Sequence, residues 1–243
     1  MKLKKVHLLP LILIFLQLPG CKKDKDKTTS APPEPVAAYD FTGNAKNNIS
    51  QLHDGTKVGG ITNTLDSFAT PNAAFFFPGS SYVKIPDSDV LDFAGNQFTI
   101  AAWIRPVLTS GTYIVQKAAS SGGGGPYSLD IHPGVPRALI HTQTDESFIV
   151  TGHSTIRKNV WQHMAVTFDG KQLTLYYNGD TEGNTAVDRP LQITTGSVNI
   201  GAYPNALPAG SFEGIIDNVR IFDKALNASQ VKNLYQNYRL YEK

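Results

Sequence analysis

From residue 37 to residue 226 the hydrophobic positions recur mostly every second residue, in short runs bounded by Gly, Pro, Asn and Asp. A period of two places the apolar side chains of each run on one face of an extended strand. Phe98 to Arg105 alternates in this way and stops at Pro106. Tyr127, Leu129 and Ile131 share one face, which leaves Ser128, Asp130 and His132 on the other. Trp161 to Phe168 carries apolar residues on both faces, as a central strand does, and ends at Asp169-Gly170. Lys171 to Tyr177 follows and ends at Asn178-Gly179. Asp-Gly and Asn-Gly are favoured at tight hairpins because both central residues adopt positive φ, so these segments form a meander. Phe212, Gly214 and Ile216 have one parity, whereas Val219 and Ile221 have the other. One regular strand cannot turn both sets inward, so a β-bulge is expected near Asp217-Asn218. A short helix comes last, with Asn227 as N-cap, Gln230 three residues on, and Val231, Leu234 and Tyr235 as an apolar stripe. Many short strands and one terminal helix make an all-β chain, two antiparallel sheets packed as a sandwich or jelly roll.

The first 36 residues follow other rules. Lys2, Lys4 and Lys5 precede a mostly apolar run, Val6 to Leu18, too short to span a bilayer comfortably. Leu18-Pro19-Gly20-Cys21 then resembles the cleavage box of bacterial lipoproteins, which implies removal of residues 1–20 and lipid on Cys21. Cys21 is the one cysteine of the chain, so no intramolecular disulfide forms. Residues 21–36 read as a solvated tether, charged from Lys22 to Lys27 and Pro-rich from Ala31 to Pro35. The Lys-Asp run after the cysteine resembles the export signal of surface lipoproteins in Bacteroidetes-like bacteria. That implies an outer-membrane lipoprotein facing the cell exterior, with the periplasmic face as the alternative.

Charge narrows the partners. Of the 22 basic residues three lie in the first twenty, leaving 19 against 20 acids in the mature chain. A near-neutral domain lacks the basic footprint of nucleic-acid binding and the polybasic patch of a membrane-surface binder. Residues 120–125, Ser-Ser-Gly-Gly-Gly-Gly, follow no helix signal and hold no lysine, so they are not a phosphate cradle.

Several segments together carry a family resemblance. Trp161-Gln-His-Met-Ala-Val-Thr-Phe-Asp-Gly170 with Leu173 to Gly179 resembles the central hairpin of laminin G-like, concanavalin A-like domains. Phe212 to Leu226 resembles their last strand and the start of their terminal helix, Tyr39 to Asn44 their first strand and loop, and Phe98 to Pro106 their tryptophan-bearing strand. The resemblance spans about residues 37–238 and implies a two-sheet jelly roll over residues 37–243. It also implies a structural Ca2+ between the first-strand loop and the last-strand aspartate, which maps to Gly43, Asn44, Asn47 and Asp217. Thr42 and Asn47-Asn48 stand where that pattern favours acids, and lost charge weakens calcium binding.

A sugar site needs polar groups for hydroxyls and aromatic faces for the apolar sides of rings. Asp130 and His132 project together from one strand face, Arg137 and His141 lie on the next alternating segment, and Tyr203 sits in a Tyr-Pro-Asn loop. The alternative for these histidines is a satisfied role in a half-buried sheet, and for Tyr203 loop packing. His163 reads as a core or inter-sheet histidine. Catalysis of glycoside hydrolysis needs two carboxylates about 5–10 Å apart. The five glutamates, Glu34, Glu146, Glu182, Glu213 and Glu242, form no Glu-x-Asp-x-Glu array, and Asp145-Glu146 face opposite ways on any strand. The reading is a non-catalytic surface lipoprotein that binds a carbohydrate or glycoprotein. A protein-binding, adhesin or uptake-complex module without a sugar site is the alternative, and an unrecognised glycoside hydrolase the third.

Overall fold

The computed structural model describes residues 31–109, 111–119 and 124–237. Strand β6 (Phe98–Pro106) buries Phe98, Ile100, Ala102 and Ile104 in the main core and turns Thr99, Ala101, Trp103 and Arg105 the other way. Strand β11 (Gln162–Phe168) pairs antiparallel with it along its whole length, from Gln162↔Ile104 to Phe168↔Phe98, and adds Met164, Val166 and Phe168 to the same core.

Numbered in chain order, the strands form two antiparallel sheets. The first runs β13 (Asp180–Ala186), β12 (Gln172–Tyr177), β11, β6, β15 (Glu213–Phe222), β4 (Ala74–Pro78), β3 (Thr62–Thr64), with β1 (Ala37–Tyr39) also paired to β15. The second runs β10 (Ser147–Thr151), β9 (Pro136–His141), β8 (Tyr127–Ile131), β7 (Thr112–Lys117), β14 (Val198–Ile200), β5 (Tyr82–Ile85), β2 (Thr56–Val58). Their inner faces enclose a core rich in aromatic rings, such as Phe93, Phe98 and Tyr127, with centroids 5.0 to 5.5 Å apart.

Strand β15 reaches into this core with both parities because the register against β6 slips between Asp217 and Arg220, where Asn218 takes φ +50°. Ile216, Val219 and Ile221 are all fully buried as a result. The Asn178-Gly179 turn has both residues at positive φ, as expected of its sequence. The preceding turn differs from expectation by one residue. Asp169 pairs with Gln172, its carboxylate accepts the amides of Lys171 and Gln172, and the central residues are Gly170 and Lys171.

Helix α1 (Ala228–Gln236) has the full capping box: the Asn227 side chain accepts from the Gln230 amide, and the Gln230 side chain accepts from the Asn227 amide. It lies on the outer face of the first sheet. Ala101 and Ala165, opposite one another on β6 and β11, are small enough to admit it, and they form a second apolar cluster with Tyr176, Phe222, Leu226, Val231 and Leu234. This explains why β11 is apolar on both faces. Tyr235 stacks on Trp103 at 5.4 Å, and His163 lies beside both rings. Among the described residues no helix is long and apolar enough to cross a membrane. Residues 1–30, including Cys21, lie outside the described residues, as do residues 120–123 of the glycine-rich loop.

Candidate functional site

Among the described residues no α-helix covers the outer face of the second sheet at β7–β9, and there the predicted ligand residues meet. Strand β8 turns Tyr127, Leu129 and Ile131 inward and Ser128 and Asp130 outward; β9 turns Ala138 and Ile140 inward and Arg137, Leu139 and His141 outward. The register sets Asp130 opposite Arg137, so a carboxylate and a guanidinium face each other across adjacent strands. Arg137 Nε donates to Asp130 Oδ1 at 2.7 Å, and Ser128 Oγ donates to Oδ2 at 2.8 Å. The Asp130 side chain is only 1% exposed. Burial pushes its carboxyl above the usual carboxylate range, and the hydrogen bond and charge of Arg137, with Ser128, oppose that rise.

Strand β7 adds two groups that parity hides. Its register against β8 shifts between Tyr113 and Val115, so Ile114 packs inward together with Val115. Tyr113 and Gln116, three residues apart, then share the outer face, opposite Asp130 and Ser128. Burial raises the Tyr113 hydroxyl pKa; the Asp130 carboxylate raises it further, while the Arg137 charge and hydrogen bond act against the rise.

Residues 201–211 form a loop that leaves β14 and folds back onto β7. Gly201 N donates to Ile114 O, Tyr113 N to Gly210 O, and the loop closes through the Ala202↔Ser211 bridge. This brings the Tyr203 ring edge-on to Tyr113, centroids 5.5 Å apart at 63°. The tyrosines separate two hollows. The larger, about 230 Å³, is lined by Asp130, His132 and Arg137 with Tyr113 and the loop backbone at Ala209 and Gly210. The smaller, about 50 Å³, is lined by Gln116, Ser128, Leu139 and His141 with both tyrosines. His141 Nδ1 lies 2.8 Å from Gly125 O; a carbonyl only accepts, so Nδ1 donates there. Gly125 is required there, since a Cβ would fall 1.6 Å from Lys117 O.

All five expected ligand residues, Asp130, His132, Arg137, His141 and Tyr203, therefore lie on one outer face, the first three in the larger hollow and the other two in the smaller. Tyr113, shared by both hollows, and Gln116 were not legible, because the irregularity at Ile114 leaves no mark in the alternation. His163 is buried under α1, and that burial pushes its imidazole down to about 3.

The residues expected to hold calcium are differently engaged. Asn47 Oδ1 accepts from the amides of Ala38 at 2.9 Å and Ile49 at 3.1 Å, which uses both of its lone pairs. Asn44 Oδ1 accepts from Lys46 N, Asp217 Oδ1 accepts from Asn218 N at the bulge, and Gly43 donates its amide to Phe41 O. Nearby, the buried Asp40 carboxylate is matched by the Arg220 guanidinium and the Asn48 amide. Among the described residues no group of three or more His, Cys, Asp or Glu side chains is arranged to hold a metal. With Asn47 Oδ1 spent on the Ala38 and Ile49 amides, the four residues do not fit a six- to eight-oxygen calcium cage.

A family model described as the concanavalin A-like lectin/glucanases superfamily matches residues 77–232. The chain belongs to the concanavalin A-like lectin/glucanase superfamily. Several solved structures share its fold. Domain 4 of AbnA, a GH43 extracellular arabinanase from Geobacillus stearothermophilus, solved with arabinotriose, is 22% identical, with 84% of this chain and 98% of that chain covered and a TM-score of 0.67. The binding domain of Paraclostridial Mosquitocidal Protein 1 is 18% identical, covering 84% and 52%, at 0.67. A botulinum neurotoxin type C structure, whose toxin depends on two ganglioside molecules for cell entry, is 12% identical, covering 83% and 50%, at 0.64. The chain thus spans about half the length of the toxin chains. At these identities the likeness is one of fold, that of a concanavalin A-like domain. No curated protein matches the sequence.

Proposed function

We propose that this protein is a non-catalytic glycan-binding lipoprotein whose site is the outer face of β7, β8 and β9. The observation that carries the reading is the Tyr113–Tyr203 pair, flanked on one side by Asp130, Arg137 and His132 and on the other by Gln116, Ser128 and His141. Aromatic faces suit the apolar C–H faces of sugar rings, and the flanking donors and acceptors suit hydroxyls. The arabinotriose complex of the arabinanase domain and the ganglioside dependence of the type C toxin support a glycan ligand for this fold.

The reading without turnover rests on the carboxylates. Among the described residues Asp130 is the single acid lining either hollow, and it is held by Arg137 and Ser128. Hydrolysis needs a second carboxylate across the bond, which neither hollow supplies. Lipidation at Cys21 would hold the domain at the outer membrane, beyond the tether; labelling with a radioactive fatty acid, absent from a Cys21→Ala variant, tests it.

A glycan-array screen of the purified protein, with Tyr203→Ala and Tyr113→Ala beside the wild type, tests the binding reading. Binding to a defined glycan class, lost in both variants, is the expected result. Binding unchanged in both variants overturns the site, and a blank array points to a protein partner.

A further inference from the structure

Resting on the glycan reading, we propose that the site takes a neutral oligosaccharide of at least two rings, seated across the Tyr113–Tyr203 ridge, and rejects acidic glycans. Related folds bind both kinds of ligand, so the choice rests on the residues of this chain.

The argument for neutrality is the state of Arg137. An exposed, unmatched arginine is the usual receptor for a sugar carboxylate or sulfate. Here the guanidinium charge is already matched by Asp130, with Nε 2.7 Å from Oδ1, and the pair sums to zero charge. Asp130 is 1% exposed and cannot turn to water when a second anion arrives. Burial already makes its ionised form costly, so another negative charge beside it adds repulsion that the Arg137 charge, already matched, does not answer. A neutral hydroxyl has no such conflict. It can accept a remaining guanidinium N–H and donate to a carboxylate lone pair at once. The row next to this pair is uncharged over three strands, since Ser128, Gln116 and Asn199 stand in register on β8, β7 and β14; the first charge along it is Lys84, on β5 beyond Asn199.

The argument for length is the shape. The hollows differ in volume, about 230 and about 50 Å³; Tyr113 borders both, and Tyr203, edge-on to it, borders the smaller. A ring that fills the larger hollow meets Asp130, Arg137 and His132. Only a ligand that continues over the tyrosines reaches Gln116 and His141.

The test uses isothermal titration with arabino-, xylo-, cello- and manno-oligosaccharides of one to four rings, and with oligogalacturonates and sialyllactose, at low and high NaCl. The expected result is binding to at least one neutral series, at least about tenfold tighter for three rings than for one, a difference of about 1.4 kcal/mol. Salt has little effect on it, because no net charge is neutralised. Asp130→Asn, which frees Arg137, gains affinity for the acidic glycans severalfold. Acidic glycans binding the wild type as tightly as neutral ones overturn the charge argument, and a monosaccharide binding as tightly as its trimer overturns the length argument. Failure of every glycan to bind overturns the underlying glycan reading, and this inference with it.

Discussion

Lys117 offers the sharpest test of how this fold handles charge. Its side chain is fully buried at the end of β7, yet its ammonium lies 2.6 Å from Asp87 Oδ1, 3.0 Å from Asp92 Oδ1 and 3.0 Å from Gly196 O. Hydrogen bonds to Asp87 and Gly196 and the charge of Asp92 beside them offset the cost of taking the ammonium out of water. Lys117→Met keeps the aliphatic stem and removes the charge. Removing one partner of a buried pair costs about 3–5 kcal/mol. Asp87 is 33% exposed and can rotate toward water, whereas Asp92 at 11% has less freedom. The loss therefore falls at the lower end, about 3 kcal/mol. For a domain of this size that lowers Tm by roughly 6–12 °C. Urea unfolding with linear extrapolation measures it, with an unchanged slope as the sign that only stability moved. Adding Asp87→Asn and Asp92→Asn to Lys117→Met recovers most of the loss, because the penalty is for unpaired carboxylates. A single variant within about 1 kcal/mol of wild type would refute the reasoning, since breaking a buried pair costs several times that.

Three other predictions concern parts of the fold outside the site. His163 stays neutral in the folded protein down to about 3, whereas in the unfolded chain a histidine takes up its proton near 6.5, so its contribution is complete above 6.5 and is lost as pH falls toward 3. Over that window it costs at most about 1.4 kcal/mol per pH unit, and urea midpoints at several pH values should show a shallower slope for His163→Phe; equal slopes contradict the burial argument. Asn227→Ala removes the capping box of α1 and lowers stability by about 1 kcal/mol in the same assay; no change would mean that α1 is held by its apolar face alone. Calcium added to chelator-treated protein leaves Tm unchanged, because both Asn47 lone pairs are committed to backbone amides; a rise of several degrees would reveal a cage built from other oxygens.

Much of the architecture was legible because one rule, alternation broken by turn residues, covers β6, β8, β11 and β12. The bulge in β15 was legible for the same reason: Phe212, Gly214 and Ile216 disagree in parity with Val219 and Ile221, and only an extra residue reconciles them. The irregularity in β7 left no such conflict, since Ile114 and Val115 are both apolar and either could face inward. Tyr113 and Gln116 were lost with it. Strand β13 gave no apolar signal, because Asp-Thr-Glu-Gly-Asn-Thr-Ala forms a sheet edge, where polar residues face water on both sides. A lysine reads as exposed, so Lys117 needed Asp87 and Asp92, 30 and 25 positions away in the chain, to be understood as buried. The site residues on β8 and β9 were legible as strand-face neighbours. Their pairing as Asp130–Arg137 depends on the register, which spacing alone does not set.

The most direct measurement is chemical-shift mapping of isotope-labelled protein titrated with the tightest-binding oligosaccharide from the array. A glycan seated on the outer face of β7–β9 predicts perturbations concentrated at Tyr113, Gln116, Asp130, Arg137 and His141 and in residues 201–211. Perturbations centred instead on the first sheet around α1, or none at saturating glycan, would contradict it.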